Sequence, residues 1–323
     1  MKDIDIIDRL KTLVGRPFYY RIEIETEQCT ELNLTDPNYV FQGLIRHHSV
    51  TEKEEILALV SRLENLRYLN LRRNKLKALP DSLGRLTLLD FLDIASNDLG
   101  KVPAWIEAIE DLYYLNVGVN QLTELPVFLS KFRNMKNLLV HKNQVRVFHD
   151  EYAAFTQLEE LNFYFNHIPQ IPDFVFDLNR LHTLSWGVSK VKELPQGIGR
   201  LSNLKYFTFV ANDVERLPDS FCELKNLVAT RLHKNKLKDL PTSIGKLQNL
   251  EQITLYQNCL TELPDSFAQL QKLEKLNLSW NDFSEFPEPV KKLKNLKWLA
   301  YFYNKPVAIP VLPSLNEVVL DRP

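Results

Sequence analysis

The stretch LEKLNLSWNDFSEFP, residues 273–287, contains the spacing that decides the fold. Leu276 and Leu278 alternate with polar residues as the buried side of a short strand does. Trp280 follows them among polar residues, where the pattern predicts solvent rather than core. A large apolar side chain at such a place raises the question of what repeats around it, and Leu273 is the reference point for that search.

An apolar residue recurs every 23 residues on both sides of Leu273, which defines eleven repeats without an insertion. The lead residues, taken as position 1, are Leu66, Leu89, Leu112, Met135, Leu158, Leu181, Leu204, Leu227, Leu250, Leu273 and Leu296. Positions 4 and 6 are apolar in most repeats, and a Leu-Pro step or its equivalent follows at positions 14 and 15, with His149 replacing the Pro once. Position 9 is Ser189 in one repeat and Asn in the others, namely Asn74, Asn97, Asn120, Asn143, Asn166, Asn212, Asn235, Asn258, Asn281 and Asn304.

Each recurring position of the repeat has a physical explanation. The two apolar positions 4 and 6 lie on one face of a short strand, and one strand per repeat requires parallel pairing between neighbours. The Asn amide at position 9 can bond backbone groups of adjacent turns, which predicts a structural Asn ladder. Pro tolerates the loss of its N–H where the chain leaves the strand. Because one repeat cannot build a core alone, the pattern predicts a stacked α/β solenoid.

These columns, with the phrases LPQGIGRL at 194–201 and LPTSIGKL at 240–247, resemble the leucine-rich-repeat family in its 23-residue Leu-Pro class. The phrases are similar to those of intracellular Ras-group-related and Scribble-type proteins and of many bacterial leucine-rich-repeat proteins. The resemblance covers residues 60–323. It implies a horseshoe with a parallel concave β-sheet and a convex side of irregular or short helical segments.

Both ends of the solenoid are expected to be covered. Residues 1–60 are predicted to be an N-terminal cap rather than a separate module: a helix over 5–14, a strand over 19–25, a degenerate repeat, and a helix that a capping box of Thr51 and Glu54 begins. Residues 61–323 are predicted to be the solenoid. A short capping strand is expected near residues 315–323, with Glu317, Asp321 and Arg322 blunting its edge, and no appended catalytic domain.

Composition limits the possible partners and the possible cellular compartment. The formal net charge is −1, so the chain as a whole has no positive electrostatic field that would favour binding of nucleic acid. The N-terminus has no secretory h-region, and no stretch approaches the length of a membrane span. Three cysteines without metal spacing predict neither a disulfide framework nor a zinc site. We therefore expect a cytoplasmic monomer, with export by a non-classical route left open as an alternative.

The sequence predicts no enzyme, cofactor or metal. An active site needs convergent polar groups, and the Gly197–Gly199 phrase lacks the third glycine of a phosphate loop. His141 and His233 occupy outward strand positions four repeats apart, too far to share a metal, and are expected at the surface. Trp186 occupies an inward position 6 and is expected in the core.

Aromatic side chains recur at positions that should face away from the core. Positions 3, 5 and 7 alternate with the buried positions 4 and 6, and position 8 follows at the rim of the sheet. In the last three repeats the outward aromatics are Tyr256, Trp280, Trp298, Phe302 and Tyr303. Because these lie on consecutive strands, we predict a contiguous apolar patch that binds a partner.

Charged and aromatic neighbours extend the predicted site. Arg231, His233 and Lys234 lie on the adjacent strand and should form a basic margin, and Tyr164 and Phe165 form a second, central candidate. The competing interpretation is that exposed aromatics are isolated and carry no function, which suits Tyr68 and Tyr114.

The predicted function is therefore a non-enzymatic scaffold or adaptor that binds a protein on the concave sheet. One alternative is a carbohydrate-binding module, in which the aromatics stack on sugars. Another is a bacterial effector that acts on a host protein.

Overall fold

The computed structural model describes residues 2–35, 43–305, 310, 312 and 315, and the backbone of residues 317–319. The chain divides into two compact units, Met1–Leu158 and Glu159–Pro323.

The first unit begins with two helices and a hairpin. Helix α1 spans Asp3–Val14, strands β1 and β2 span Tyr19–Glu23 and Gln28–Asn33, and helix α2 spans Val50–Val60. Strand β1 pairs antiparallel with β2, which pairs parallel with the strand of the first repeat. The predicted strand over 19–25 ends two residues early, because the chain turns after Glu23 into β2.

The start of α2 differs from the sequence prediction. Ser49, not Thr51, is the N-cap, and its hydroxyl accepts a hydrogen bond from the N–H of Glu52. The Glu52 carboxylate accepts in return from the N–H of Ser49, at 2.7 Å. The capping box of Thr51 and Glu54 was therefore wrong by two residues. Both pairs have the same spacing, but only Ser49 takes the extended backbone conformation that a cap requires.

Four repeats follow in the first unit, each with one three-residue strand and one short turn. The strands are β3 Tyr68–Asn70, β4 Phe91–Asp93, β5 Tyr114–Asn116 and β6 Asn137–Leu139. They pair in parallel, and equivalent residues of successive repeats lie side by side. The turns are 3-10 helices at Asp81–Arg85, Ala104–Ala108, Val127–Lys131 and Asp150–Ala154.

The second unit continues the same design. Its strands are β7 Glu160–Asn162, β8 Thr183–Ser185, β9 Tyr206–Thr208, β10 Ala229–Arg231, β11 Gln252–Thr254, β12 Lys275–Asn277, β13 Trp298–Ala300 and β14 Glu317–Val319. Its 3-10 helices are Asp173–Asp177, Gln196–Arg200, Asp219–Glu223, Ile244–Lys246 and Asp265–Gln269, and a short α-helix, α3, spans Glu288–Lys291. Strand β14 pairs in parallel with β13, as the expected last strand should. Asp321 and Arg322 lie outside the described residues.

Each repeat buries two side chains of its strand and then begins a helical turn. The strand residues at positions 4 and 6 are buried throughout, and Trp186 among them is fully buried and stacked on Phe163 at 5.2 Å. The Pro at position 15 then begins the helical turn. In the first repeat, for example, the Leu83 N–H donates a hydrogen bond to the Pro80 carbonyl at 3.1 Å. Pro suits this place because its fixed φ fits the entry to a helical turn, where an N–H is not needed.

The amides at position 9 join successive repeats. The Asn97 amide donates to the carbonyls of Leu71 and Ile94, at 3.0 and 2.9 Å. Its oxygen accepts from the N–H groups of Asn74 and Leu76, both at 3.0 Å. One buried side chain thus satisfies four backbone groups of two repeats that would otherwise be buried without partners.

The ladder is weakest in the second unit around Ser189. Its hydroxyl donates to the carbonyls of Asn166 and Gly187, and the neighbouring Asn212 oxygen accepts from the N–H groups of Ser189 and Val191 at 3.3 and 3.2 Å. Within the described residues, Nδ2 of Asn212 and Oδ1 of Asn235 are buried without a hydrogen-bond partner. An unpaired buried polar atom costs free energy, so we expect the packing between these repeats to be less stable than that between other repeats.

Thr230→Val is expected to raise the free energy of unfolding by about 1–2 kcal/mol. Thr230 occupies the inward position 4 of its repeat at 1% exposure, and its hydroxyl has no hydrogen-bond partner among the described residues. Val keeps the shape and removes a buried polar group whose desolvation is not compensated. Urea unfolding measures the difference. Thr254→Val, at a half-buried outward position, is the control and should change stability by less than about 0.5 kcal/mol. Equal stability of Thr230→Val and the wild type would show that the hydroxyl is satisfied.

Candidate functional site

The position of Trp280 is explained by the backbone at position 8. This residue has a left-handed conformation in each of the eleven repeats, with φ between 52° and 65°. The left-handed residue turns the chain out of the strand, and its N–H donates to the next repeat, as Trp280 does to the Phe302 carbonyl at 2.9 Å. Its side chain therefore leaves the core at the rim of the sheet, and Trp280 is 46% exposed.

Val119→Gly is expected to stabilise the protein by about 0.5–1 kcal/mol. A β-branched residue at φ 58° is strained, at a cost of about 1–2 kcal/mol, while glycine loses about 0.5–1 kcal/mol of chain entropy. Val119 is 37% exposed, so little packing is lost. Val147→Gly is the matched control, because Val147 is 54% exposed and is not among the described residues with positive φ. It should destabilise by about 0.5–1 kcal/mol, and destabilisation by both changes would argue against strain at position 8.

Three of the five predicted aromatics form one cluster on the second unit. The rings of Trp280 and Tyr303 lie 4.0 Å apart with a 33° tilt, and Phe302 contacts Tyr303 edge-on at 5.5 Å. Trp280 and Tyr303 are exposed, and Phe302 is half-buried. Trp298 is half-buried on β13 and makes no ring contact with these three in the described part of the chain. We call Trp280, Phe302 and Tyr303 the rim cluster.

Tyr256 belongs to a different pair. Its ring stacks on His233 at 4.2 Å with an interplanar angle of 13°. Burial, followed by the charges of Lys234 and Arg231, lowers the pKa of His233 to about 4, so the imidazole is neutral at pH 7. His233 is therefore half-buried rather than fully exposed, because the neighbouring ring takes part of it out of water. His141 in the first unit is likewise half-buried rather than at the surface.

Tyr164 and Phe165 contact each other edge-on at 5.3 Å, and Phe165 is 46% exposed. The Tyr164 ring lies on Gly187, where a Cβ would come within 3.1 Å of it. Burial first, and then the nearby Tyr164, raises the pKa of Tyr256. The central candidate therefore lies on the same sheet face as the stacked pair of His233 and Tyr256.

Two exposed cations flank the stacked pair. Arg231 and Lys234 make no ion pair within the described residues, whereas Lys236 pairs with Asp213 at 2.6 Å. The predicted basic margin thus consists of Arg231 and Lys234.

The sequence interpretation missed a third aromatic group. Tyr68, Phe91 and Tyr114 stack in the first unit, with ring centroids 4.2 and 4.0 Å apart and interplanar angles of 13° and 12°. Tyr68 and Tyr114 are therefore not isolated. The signal was present in the sequence, because all three occupy position 3 of consecutive repeats and parallel register sets them side by side.

The described residues offer little reactive chemistry. No group of three or more His, Cys, Asp or Glu side chains among them could hold a metal ion. The thiols of Cys29 and Cys222 are buried, and burial raises the pKa of Cys29 to about 12, which disfavours the nucleophilic thiolate. None of the described helices has the length and apolar character to cross a bilayer.

Stacked parallel strands, joined in most repeats by an Asn at position 9, define a repeat solenoid. A family profile described as "Leucine-rich repeat region" matches residues 45–184 and 170–259, and one described as "Leucine Rich Repeat" matches residues 272–293. The chain belongs to the leucine-rich-repeat family.

Solved structures show the same fold. The leucine-rich-repeat protein LIC12759 of Leptospira interrogans is 28% identical with a TM-score of 0.66, and the match covers 78% of this chain and 70% of that one. The internalin InlF of Listeria monocytogenes is 17% identical with a TM-score of 0.64, over 81% and 89%. The plant peptide hormone receptor RGFR1, in complex with RGF2, is 21% identical with a TM-score of 0.59, over 81% and 52%. No curated protein matches the chain.

Proposed function

We propose that this chain is a non-enzymatic scaffold or adaptor that binds a protein partner on the sheet face of its second unit. The observation that carries the proposal is the contact between Trp280 and Tyr303, which are 46% and 53% exposed although their rings lie only 4.0 Å apart. Large aromatic rings that remain in water side by side offer a partner apolar area at low entropic cost.

The surroundings support the same role. Arg231 and Lys234 lie two repeats before the rim cluster and would favour acidic residues at the margin of the partner. A related fold occurs in the plant peptide hormone receptor RGFR1, whose structure is a complex with RGF2. Tyr256, Trp298, Tyr164 and Phe165 extend the proposed surface, and His233 would contribute as a neutral ring.

Affinity capture from lysate tests this proposal. Wild type, Trp280→Ala and Tyr303→Ala are compared, with Tyr113→Ala as the control because Tyr113 is 41% exposed in the first unit. The proposal expects a specific protein that the first two variants lose by a factor of about 30 or more in affinity, the size of a hot-spot loss of about 2 kcal/mol. Capture unchanged in both rim variants would overturn it.

A glycan array with the same proteins distinguishes protein binding from the carbohydrate-binding alternative. That alternative requires that the wild type binds a sugar and that Trp280→Ala does not. Fractionation of the cells before the capture experiment shows which cellular compartment contains the protein. Three free cysteines, with Cys259 exposed, support a reducing cytoplasm, and recovery of the protein outside the cytoplasmic fraction would contradict that assignment.

A further inference from the structure

One face of helix α2 lies beside the first repeat. Val50, Lys53, Glu54 and Leu57 share this face, because helical residues that are three, four and seven positions apart point the same way. Leu57 is buried, whereas Val50 is 70% exposed. The face therefore runs from the core to an apolar side chain that remains in water.

A cavity of about 430 Å³ lies between this face and the first repeat. The repeat contributes Leu76, Leu79 and Pro80 to its lining, and both leucines belong to the buried core. Sites that bind small molecules have volumes of about 300–1,000 Å³ and mostly apolar walls. The size and the apolar part of the lining both suit a small organic ligand.

Three lysines line the same cavity, namely Lys53 from the helix and Lys75 and Lys77 from the repeat. Nζ of Lys53 donates to the backbone carbonyl of Lys75 at 3.4 Å, which brings the two residues together. Burial, followed by the charge of Lys75, lowers the pKa of Lys53. A lysine in a close ion pair behaves in the opposite way, since the hydrogen bond from Lys236 to Asp213 at 2.6 Å raises the pKa of Lys236. The Lys53 ammonium thus has a cation and a carbonyl beside it rather than a paired carboxylate.

Two acidic side chains also line the cavity, Glu54 and Asp98. The effect of Asp98 on Lys53 is smaller than that of burial or of Lys75, and Oδ1 of Asp98 accepts from the Gln121 amide at 3.4 Å. Three lysines against two carboxylates leave one positive charge in the lining. This charge complements a ligand that carries a single negative charge.

A groove in the second unit shows that the repeats do not create such a lining by themselves. It follows the equivalent Leu-Pro steps, and its charged side chains are Arg216, Asp219, Asp239, Glu262 and Asp265. Arg216 pairs with Asp239 at 3.2 Å, so the arginine is already neutralised. The cavity beside α2 therefore has a charge opposite to that of its counterpart.

We propose that the cavity between α2 and the first repeat binds an amphipathic monoanion, a carboxylate of the fatty-acid class. Its apolar chain would pack on Leu57, Leu76 and Leu79 and cover Val50, and its carboxylate would accept hydrogen bonds from the lysine ammonium groups. The cavity is in the first unit, so the proposal does not depend on the rim cluster or on its partner.

Isothermal titration calorimetry of the full chain tests the proposal, with decanoate as the probe below the concentration at which it forms micelles. Decanoate is expected to bind saturably at one site. Methyl decanoate lacks the charge and acetate lacks the chain, so each should bind about tenfold more weakly or worse. Absence of saturable decanoate binding, or equal binding of the ester or of acetate, would overturn the proposal.

A pair of matched variants locates the site. Val50→Asp places a carboxylate at the cavity, at the first residue of α2, where an acidic side chain is favourable for the helix. It should weaken decanoate binding about tenfold or more by repulsion. Val127→Asp is the control, because Val127 is 39% exposed and begins a 3-10 helix of the same unit outside the cavity lining. It should bind as the wild type does, and wild-type binding by Val50→Asp contradicts the proposal.

Lys53→Gln provides a second variant that does not change the apolar lining. It is expected to weaken decanoate binding about tenfold, whereas Lys142→Gln, exposed on another repeat of the unit, should have no effect. Equal melting temperatures show that the variants are folded. The competing occupant is a side chain of a partner protein, for which the probe is the blocked dipeptide N-acetyl-leucyl-glutamate amide. Tighter binding of the dipeptide than of decanoate would assign the cavity to a protein ligand and contradict the fatty-acid class.

Discussion

Leu278→Ala is expected to lower the free energy of unfolding by about 2–5 kcal/mol, whereas Trp280→Ala, two residues away, should change it by no more than about 0.5 kcal/mol. Leu278 is fully buried at position 6, so its truncation leaves a cavity. Trp280 is 46% exposed, and its truncation removes surface rather than core. Alanine also keeps a side chain at φ 55°, so backbone strain at this residue is nearly unchanged. Urea unfolding followed by circular dichroism measures both.

The two variants should therefore separate stability from binding. Leu278→Ala should melt early and, below its melting temperature, still capture the partner. Trp280→Ala should melt with the wild type and lose capture. If Trp280→Ala melts several degrees early, the ring contact with Tyr303 at 4.0 Å is structural, and the rim cluster would have to be reassigned to the core.

Asn258→Ala is expected to cost about 2–3 kcal/mol. Its amide donates to the carbonyls of Leu232 and Leu255, at 3.1 and 2.9 Å, and its oxygen accepts from the Leu237 N–H at 3.0 Å. Alanine removes three hydrogen bonds of about 1 kcal/mol each and leaves a buried N–H without a partner. Thermal and urea unfolding of the variant measure the loss.

Asn212→Ala is the matched comparison and should cost only about 1 kcal/mol. It loses two longer bonds, at 3.3 and 3.2 Å, and also removes a buried amide nitrogen that has no partner among the described residues. Ser189→Asn should raise stability by up to about 1 kcal/mol, by restoring the amide that the other repeats carry. If Asn212→Ala proves as costly as Asn258→Ala, the ladder is not weakened at this joint.

Much of the fold could be predicted because one spacing determines it. A period of 23 without insertions fixes which residues lie side by side, as the pairs Leu69 with Leu92 and Leu276 with Leu299 show. Burial of positions 4 and 6 follows from the same period, including the unusual Trp186.

Other features depend on interactions that a period does not determine. Ser49 and Thr51 offer equal capping spacings, and the backbone conformation selects Ser49. The pKa of His233 is lowered because burial against the Tyr256 ring disfavours the charged imidazole, and His141 is half-buried because Gly118 leaves room for its ring. The proposed patch likewise separates into the rim cluster and the pair of His233 with Tyr256, since ring orientation decides which neighbours touch.

The left-handed residue at position 8 has a consequence for how recognition can change in this chain. One backbone geometry presents residues as different as Lys142, Val188, Gln257 and Trp280, because the side chain there contributes little to the core. Specificity can therefore be exchanged one residue at a time, with a loss of stability where the new residue is β-branched, as at Val119. Gln257 and Trp280 have φ values of 54° and 55°, so a tryptophan introduced at residue 257 would present its ring one strand along the sheet. Position 8 can therefore carry different side chains in successive repeats when a new binding surface is designed.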